Sequence, residues 1–208
     1  MASLLSLPVE LLDRIIDLVV LNARKPPVDV PAARTNRWKD EDLSAYSQGV
    51  RVLLTWPEGP RHVRYEHKTS ANATGLLLTN RQFHKPTQDA ITRLFPNGIS
   101  YVLDVLNVND KELWPTWLYV PVVAKHLASV QVNLRFFEHV EPCDGFTFNA
   151  ASPSNDDLRW CYWSMLERIL RCGLDHPPPT LRGSPYRGHA IESIESISID
   201  ITAGVPLD

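Results

Sequence analysis

The order of periodic segments between residues 127 and 201 is the feature that most restricts the fold of this chain. Residues 127 to 136 alternate between apolar and polar side chains, which is the period of a half-buried strand. Residues 155 to 172 place apolar side chains at helical intervals of three and four, and residues 197 to 201 alternate again. A strand, a helix and a strand in this order predict a right-handed crossover and a parallel pair of strands.

A third strand is expected from Tyr101 to Leu106, ahead of this unit. We therefore predict a small α/β layer over residues 96–208. Its mostly parallel three-stranded sheet uses strands near 101–106, 128–136 and 196–201, with helix 156–172 on one face and Gly173 as the C-cap. The chain stops just after the last strand. A sheet this small predicts a truncated gene product or a minimal member of a family.

The first helix, predicted from Leu7 to Asn22, is more apolar than one contact requires. At about 100° per residue its apolar side chains fill an arc of roughly 220°. A surface helix needs an apolar stripe of only about 100° or a little more. The helix is therefore expected to be covered on two sides, either by its own domain alone or by its domain and a partner.

Residues 24 to 72 differ from their surroundings because they are rich in proline and charge. The first half is predicted to be an irregular loop. The second half is predicted to be a hairpin, with strands Val50 to Trp56 and Arg61 to Glu66 around a Pro-Glu-Gly-Pro turn. Residues 73 to 95 are predicted to be helical, with a kink at Pro86 or two helices that meet there.

Composition excludes several classes of protein. The net charge of -3 argues against a nucleic-acid-binding protein. The three cysteines, Cys143, Cys161 and Cys172, show no C-x-x-C spacing, which favours a reducing compartment, the cytoplasm or the nucleus. The N-terminus lacks the features of a signal peptide, and no apolar stretch reaches about 18 residues, so no membrane span is predicted.

The residues that could carry chemistry do not form a recognisable catalytic pattern. His139 to Cys143 contains fragments of a zinc-deaminase signature, but the spacing is wrong for metal binding. Arg51, Arg61, Arg64 and Lys68 lie near Trp56 and Tyr65, where the solvated face of a hairpin is the preferred interpretation over a nucleic-acid surface. We therefore predict no enzyme activity, no cofactor, no catalytic residues and no metal site.

Two blocks of the sequence resemble an F-box-like protein of the kind common in filamentous fungi. The first block is Leu7-Val19, with its Leu-Pro-x-Glu-Leu-Leu opening followed by Ile-Ile and Leu-Val. The second block is Leu76-Ile91, in which leucines are followed by Thr-Asn-Arg-Gln-Phe. The resemblance implies an F-box-like helical part over residues 1–95, interrupted by the insertion 24–72. Together with the α/β layer predicted from periodicity, this gives an α+β chain.

The resemblance also implies a function. F-box proteins dock onto the Skp-type adaptor of a cullin ubiquitin ligase, so the chain is predicted to be a protein-binding adaptor that recruits an unknown protein substrate. The alternative is a stand-alone structural or protein-interaction domain without ligase coupling. Neither a membrane nor a nucleic acid is expected as a partner. The predicted adaptor-binding residues are Leu7, Pro8, Leu11, Leu12, Ile15 and Ile16.

Overall fold

A computed structural model describes residues 7–34, 37–39, 62–66, 71–79, 81–109, 112–137 and 191–203, together with 162, 165–166, 169–170 and 173–174. Four helices have both ends within these ranges: α1 (Val9–Val20), α2 (Val30–Ala33), α3 (Thr74–Thr79) and α4 (Arg81–Leu94). Six strands accompany them: β1 (Arg37–Lys39), β2 (His62–Glu66), β3 (Ser100–Val108), β4 (Glu112–Tyr119), β5 (His126–Phe137) and β6 (Ser193–Ala203). The chain is thus an α+β protein.

The strands form one mixed sheet in the order β1-β2-β4-β3-β5-β6. The three predicted strands are all present as β3, β5 and β6, and both neighbouring pairs among them are parallel. The predicted sheet of only three strands is wrong, however. β4 pairs antiparallel with β3, and β2 joins β4 through a short parallel contact, so the sheet is larger and more mixed than expected.

The larger sheet draws on the segment that was predicted to be an insertion. β2 lies where the second strand of the hairpin was expected, between β1 and β4. The predicted partner strand, residues 50 to 56, lies outside the described residues. The first half of the insertion is more ordered than predicted, because it contains α2, whose first turn is capped by the Asp29 carboxylate accepting from the amide of Ala32 at 2.6 Å.

The main core lies on one face of the sheet. Odd-numbered residues of β3 and even-numbered residues of β5 point into it, including Leu103, Val105 and Val132. Five residues of the predicted 156–172 helix are described, namely 162, 165, 166, 169 and 170, and all are helical. Met165 and Ile169 are buried in this core, so these helical residues lie on one face of the sheet, as predicted.

Gly173 ends this helix as predicted. Its φ is 61°, a left-handed conformation that glycine adopts without the steric cost met by other residues. Its amide donates to the carbonyl oxygen of Ile169 at 2.9 Å. Glycine at this position therefore satisfies one of the last carbonyl groups of the helix while turning the chain away.

The opposite face of the sheet is covered by α2, which belongs to the segment between α1 and β1. A second core there contains Val30 and Ala33 of α2 and, from the sheet, Leu106, Val108, Trp114 and Phe137. Arg24 also fastens this segment to β2, because its guanidinium donates to both carboxylate oxygens of Glu66 at 3.0 Å. Since α2, β1 and β2 precede residue 95, contacts cross the predicted boundary between the two domains, and that division stays a prediction.

The helical pair α3 and α4 differs from the prediction in where it is interrupted. The two helices meet next to residue 80 rather than at Pro86, which lies inside α4. Pro86 falls in the second turn of α4, so it removes only one of the helix's hydrogen-bond donors. The predicted helices are present as Thr74–Thr79 and Arg81–Leu94. The expectation that two helices meet at Pro86 is wrong, and the alternative of a kink at Pro86 stays a prediction.

Candidate functional site: the exposed face of the first helix

α1 packs one side against the helical pair. Ile16 and Val20 are fully buried with Ala73 and Ala90, and the partly buried side chains around them include Leu12, Leu76, Leu77, Ile91 and Leu94. Most of these residues come from the two sequence blocks Leu7-Val19 and Leu76-Ile91. The insertion of residues 24 to 72 therefore does not keep the two blocks apart in space.

Polar contacts hold the same arrangement in the C-terminal half of α1. Asn72, which precedes α3, donates from its side-chain amide to the carbonyl oxygens of Val20 at 3.0 Å and Asn22 at 2.6 Å. Those carbonyls belong to the C-terminal end of α1, where helices leave acceptors unsatisfied. On the flank of the helix, the guanidinium of Arg93 in α4 donates to the carboxylate of Asp17 at 2.7 Å.

The other side of α1 is left open. Leu11 is 49% exposed and Leu18 is 66% exposed, and Pro8 is exposed at the start of the helix. Leu7, Leu11 and Leu18 recur at intervals of four and seven, so they lie along one side of a helix. Half-buried Ile15 and Val19 continue this side toward an open cleft that they line together with Leu18, Asn22 and Asn72.

The first turn of α1 extends beyond its packing partners. Val9 is spaced seven residues before buried Ile16, which places both on the same side of the helix. Val9 is nevertheless 64% exposed. We refer to the uncovered side of α1, formed by Leu7, Pro8, Leu11, Ile15 and Leu18, as the exposed face of α1.

The six residues predicted to bind an adaptor are thus divided between the two sides of the helix. Pro8 and Leu11 are exposed, and Leu7 and Ile15 are intermediate. Leu12 is intermediate as well, but it packs against the helical core. Ile16 is completely buried in that core, so its side chain is not available to a partner in this structure.

Sequence reasoning missed Leu18 as a candidate contact residue. The signal was present, because at about 100° per residue Leu18 falls between Leu7 and Leu11 on the wheel. The prediction followed the consecutive motif positions instead of the helical face. A selection by angle would have added Leu18 and removed Ile16.

A second cluster, of charged and aromatic side chains, lies on the sheet. Its acidic side chains are paired with arginines of the same cluster. Asp104 accepts two hydrogen bonds from Arg135, and Glu112 accepts two from Arg64 at 2.7 and 3.0 Å. The indole of Trp114 donates to Glu112 at 2.8 Å and lies beneath both Arg64 and Arg37. These contacts explain the cluster as a structural network that joins strands.

Arg37 shows what this network does for the fold. Its guanidinium donates to the carbonyl oxygens of Arg64 in β2 and Pro115 in β4, both at 2.9 Å, and to the hydroxyl of Thr116. Among the described residues, the pairing of β2 with β4 consists of His62 with Glu112 and Val63 with Leu113. Arg37 therefore bridges the two strands beyond the point where their own pairing stops. Burial lowers the pKa of Arg37 to about 10, which still leaves the side chain charged at neutral pH.

Other candidates from the sequence do not form a site in the described residues. Arg64 is paired with Glu112, and Tyr65 is buried in the main core, so these two do not share a basic aromatic surface. Residues 139 to 143 and the cysteines Cys143, Cys161 and Cys172 lie outside the described residues. Within the described part of the chain, no group of three or more histidine, cysteine, aspartate or glutamate side chains is arranged to hold a metal ion.

No helix in the described ranges is both long and apolar enough to cross a membrane. No protein-family model matches the chain, and no curated protein or solved structure matches it either.

Proposed function

We propose that this protein is an F-box-like adaptor that binds a Skp-type protein through the exposed face of α1 and presents a protein substrate to a cullin ubiquitin ligase. One observation carries the proposal. The two sequence blocks that resemble an F-box pack together as α1, α3 and α4, while leucines of the first block remain uncovered on the outer side.

The geometry supports a helical docking element. The inner side of α1 packs against a core, and its outer side carries a row of apolar residues. Helices that bind in a groove of a partner have this layout, with contact residues at intervals of three, four and seven. Burial of a large apolar side chain contributes about 1.5–3 kcal/mol relative to full exposure. Leu11 and Leu18 forgo roughly half of that or more while they remain in water, so covering them favours association.

The long insertion is compatible with this role. Doubling the length of a loop costs only about 0.6 kcal/mol in closure entropy, so a long connection between the two blocks is tolerated. The described parts of the insertion, α2, β1 and β2, are engaged with the sheet. In the proposed complex the sheet and its covering elements supply the substrate-recruiting part, and the chain itself performs no chemistry. Such a ligase subunit acts in the cytoplasm or the nucleus.

Co-purification with a Skp-type adaptor tests the proposal. The wild-type chain should retain the adaptor, and the double substitution Leu11→Ala with Leu18→Ala should abolish retention while the chain still unfolds cooperatively and loses less stability than Ile16→Ala does. Val28→Ala is the matched control, because Val28 is an equally apolar, 85% exposed residue outside α1. This control should bind the adaptor like the wild type.

A second variant separates docking from stability. Ile16→Ala removes a fully buried side chain and should cost about 2–5 kcal/mol of folding free energy. If Ile16→Ala loses adaptor binding and the Leu11→Ala, Leu18→Ala variant keeps it, then α1 serves only as part of the core and not as the docking surface. A folded wild-type chain that never retains the adaptor would end the ligase proposal and leave the stand-alone interaction domain.

A further inference from the structure

β6 forms the end of the sheet, and its outer edge has no strand beside it in the described part of the chain. Its register with β5 is continuous from Ser193 to Ala203, with a constant offset and no bulge. An edge strand of this kind presents unpaired backbone donors and acceptors to its surroundings, which makes it a template for pairing with another strand.

The side chains of β6 do not protect this edge. Proteins usually guard an edge strand with lysine, proline, a bulge or a very short length. β6 contains 11 residues, and none of them is lysine, arginine or proline. Glu195 and Asp200 are its two charged residues.

One face of β6 is also apolar and open. Ile197, Ile199 and Ile201 are 51%, 59% and 68% exposed. They pair in register with Val130, Val132 and Leu134 of β5, whose side chains face the main core. These three isoleucines thus lie on the same side of the sheet as the main core, but more than half of each side chain is exposed to solvent.

We propose that β6 is a self-association surface, on which a second copy of this chain pairs antiparallel to extend the sheet across a two-fold axis. Symmetric dimers place the same strand on both sides of the axis, so the strand must be complementary to itself. A pairing centred on Ile199 brings Ile199 against its own copy and Ile197 against Ile201. All three isoleucines then become cross-strand neighbours on one face.

The polar face of β6 is complementary in the same register. Asp200 falls opposite Ser198 of the second copy, and Ser196 falls opposite Thr202. The hydroxyl of Ser198 can donate to the carboxylate of Asp200. Like charges directly opposite each other would be destabilising, and this register contains none. In this one register the apolar side chains face apolar side chains and the polar ones face polar ones. This self-complementarity favours a second copy of this chain as the strand that pairs with β6. This surface is separate from the exposed face of α1, and it does not depend on the proposed adaptor role.

Light scattering coupled to size-exclusion chromatography tests the dimer on the purified chain alone. As its concentration is raised to roughly 100 μM, the wild type should reach twice the chain mass of 23.5 kDa. Measurement up to this concentration also reveals dimers held by small, weak interfaces. Ile199→Lys should give a monomer with an unchanged circular dichroism spectrum. Leu18→Lys on the exposed face of α1 is the control and should remain dimeric. A monomeric wild type, or a dimeric Ile199→Lys, would overturn the proposal.

A charge-pair experiment tests the register even if Ile199→Lys fails to fold. Ile197→Lys and Ile201→Glu should each weaken the dimer at least tenfold in Kd. The double variant carrying both changes should recover most of that loss, because Lys and Glu then face each other across the two-fold axis. The two positions are four residues apart within one strand, too far to pair within one copy. A double variant no tighter than the single variants would contradict the proposed register.

Discussion

Asp104 is the fully buried charged residue at the centre of the sheet, on β3. Its carboxylate accepts hydrogen bonds from Nε and an Nη of Arg135 at 2.8 and 2.6 Å, and Arg135 also donates to the carbonyl oxygen of Pro27. Removing one member of a buried ion pair typically costs about 3–5 kcal/mol, since the other charge is left without compensation. We expect Asp104→Ala to lower the free energy of unfolding by about that amount.

Denaturant unfolding of Asp104→Ala beside Asp89→Ala measures this effect. Asp89 lies on an exposed position of α4, so its substitution should change stability by about 0.5 kcal/mol or less. Equal midpoints for the two variants would show that the Asp104–Arg135 pair contributes nothing net to folding.

Tyr101 is the residue whose environment predicts a pH dependence. Its ring is buried edge-on against Trp117, and its hydroxyl donates to the carbonyl oxygen of Val122 at 2.8 Å and accepts from the amide of Ala124 at 2.9 Å. Burial raises the pKa of Tyr101 to about 12 from its ordinary value of 10. The folded state therefore holds this proton more tightly than the unfolded state does.

The stability contributed by Tyr101 is fully present below pH 10 and is lost as the pH rises from about 10 to about 12. Two pH units correspond to about 2.7 kcal/mol, which is the upper limit of the loss. Tyr101→Phe removes this titration, so the stability difference between wild type and variant should shrink across that window. Other groups that titrate there act on both proteins and cancel in the difference. A difference that stays constant from pH 9 to pH 12 would contradict the raised pKa.

The helix between β5 and β6 predicts a contrast between two adjacent positions. Ile169 is buried under the sheet and Leu170 is 42% exposed. Ile169→Ala should cost about 2–5 kcal/mol through lost burial and a cavity. Leu170→Ala should cost about 1 kcal/mol or less, because Leu170 is partly open to water and alanine is the better helix former. Leu166, expected from the sequence to be core, is only partly buried and should fall between the two. Matching denaturation midpoints for Ile169→Ala and Leu170→Ala would refute this orientation of the helix.

Whether a strand could be predicted depended on how many of its faces are covered. β5 alternates clearly because its polar positions remain partly open, and β6 alternates with it. β4 escaped prediction because all but the last of its residues are buried, which removes the alternation, and because Pro115 interrupts its sequence. Proline weakens a strand assignment from sequence. β1 is three residues long and is defined only by its pairing with β2, so no local pattern marks it.

The candidate site was predictable as a helix but not as a surface. The width of the apolar arc predicted cover on two sides of α1. In the structure α3 and α4 cover one side, and cover on the other side stays a prediction. Which side remains open is decided by α3 and α4, through contacts that are distant in sequence. Val9 and Ile16 share a side of the helix, yet one is exposed and the other is buried. Periodicity assigns both residues to one side of the helix and does not distinguish their burial.

At the scale of the whole molecule, the sheet and its two covering layers combine residues from both sides of the predicted domain boundary at residue 95. Leu106 and Trp114 are completely buried, and on that face they pack with Val30 and Ala33 of α2. Arg37 and Arg24 add polar links from the same early segment to β2 and β4. Residues 96–208 alone would lose every one of these contacts.

A comparison of the 96–208 fragment with the full chain therefore tests the division into two domains. Exposure of a buried large side chain costs about 1.5–3 kcal/mol, and Leu106, Val108 and Trp114 all lose the cover of α2 in the fragment. Marginally stable domains do not tolerate several such losses. We expect the fragment to bind a hydrophobic dye and to lack a cooperative transition, whereas the full chain should unfold with coincident transitions by fluorescence and circular dichroism. A fragment that unfolds cooperatively at the midpoint of the full chain would establish residue 95 as a true domain boundary. It would also show that the sheet folds stably without α2, β1 and β2.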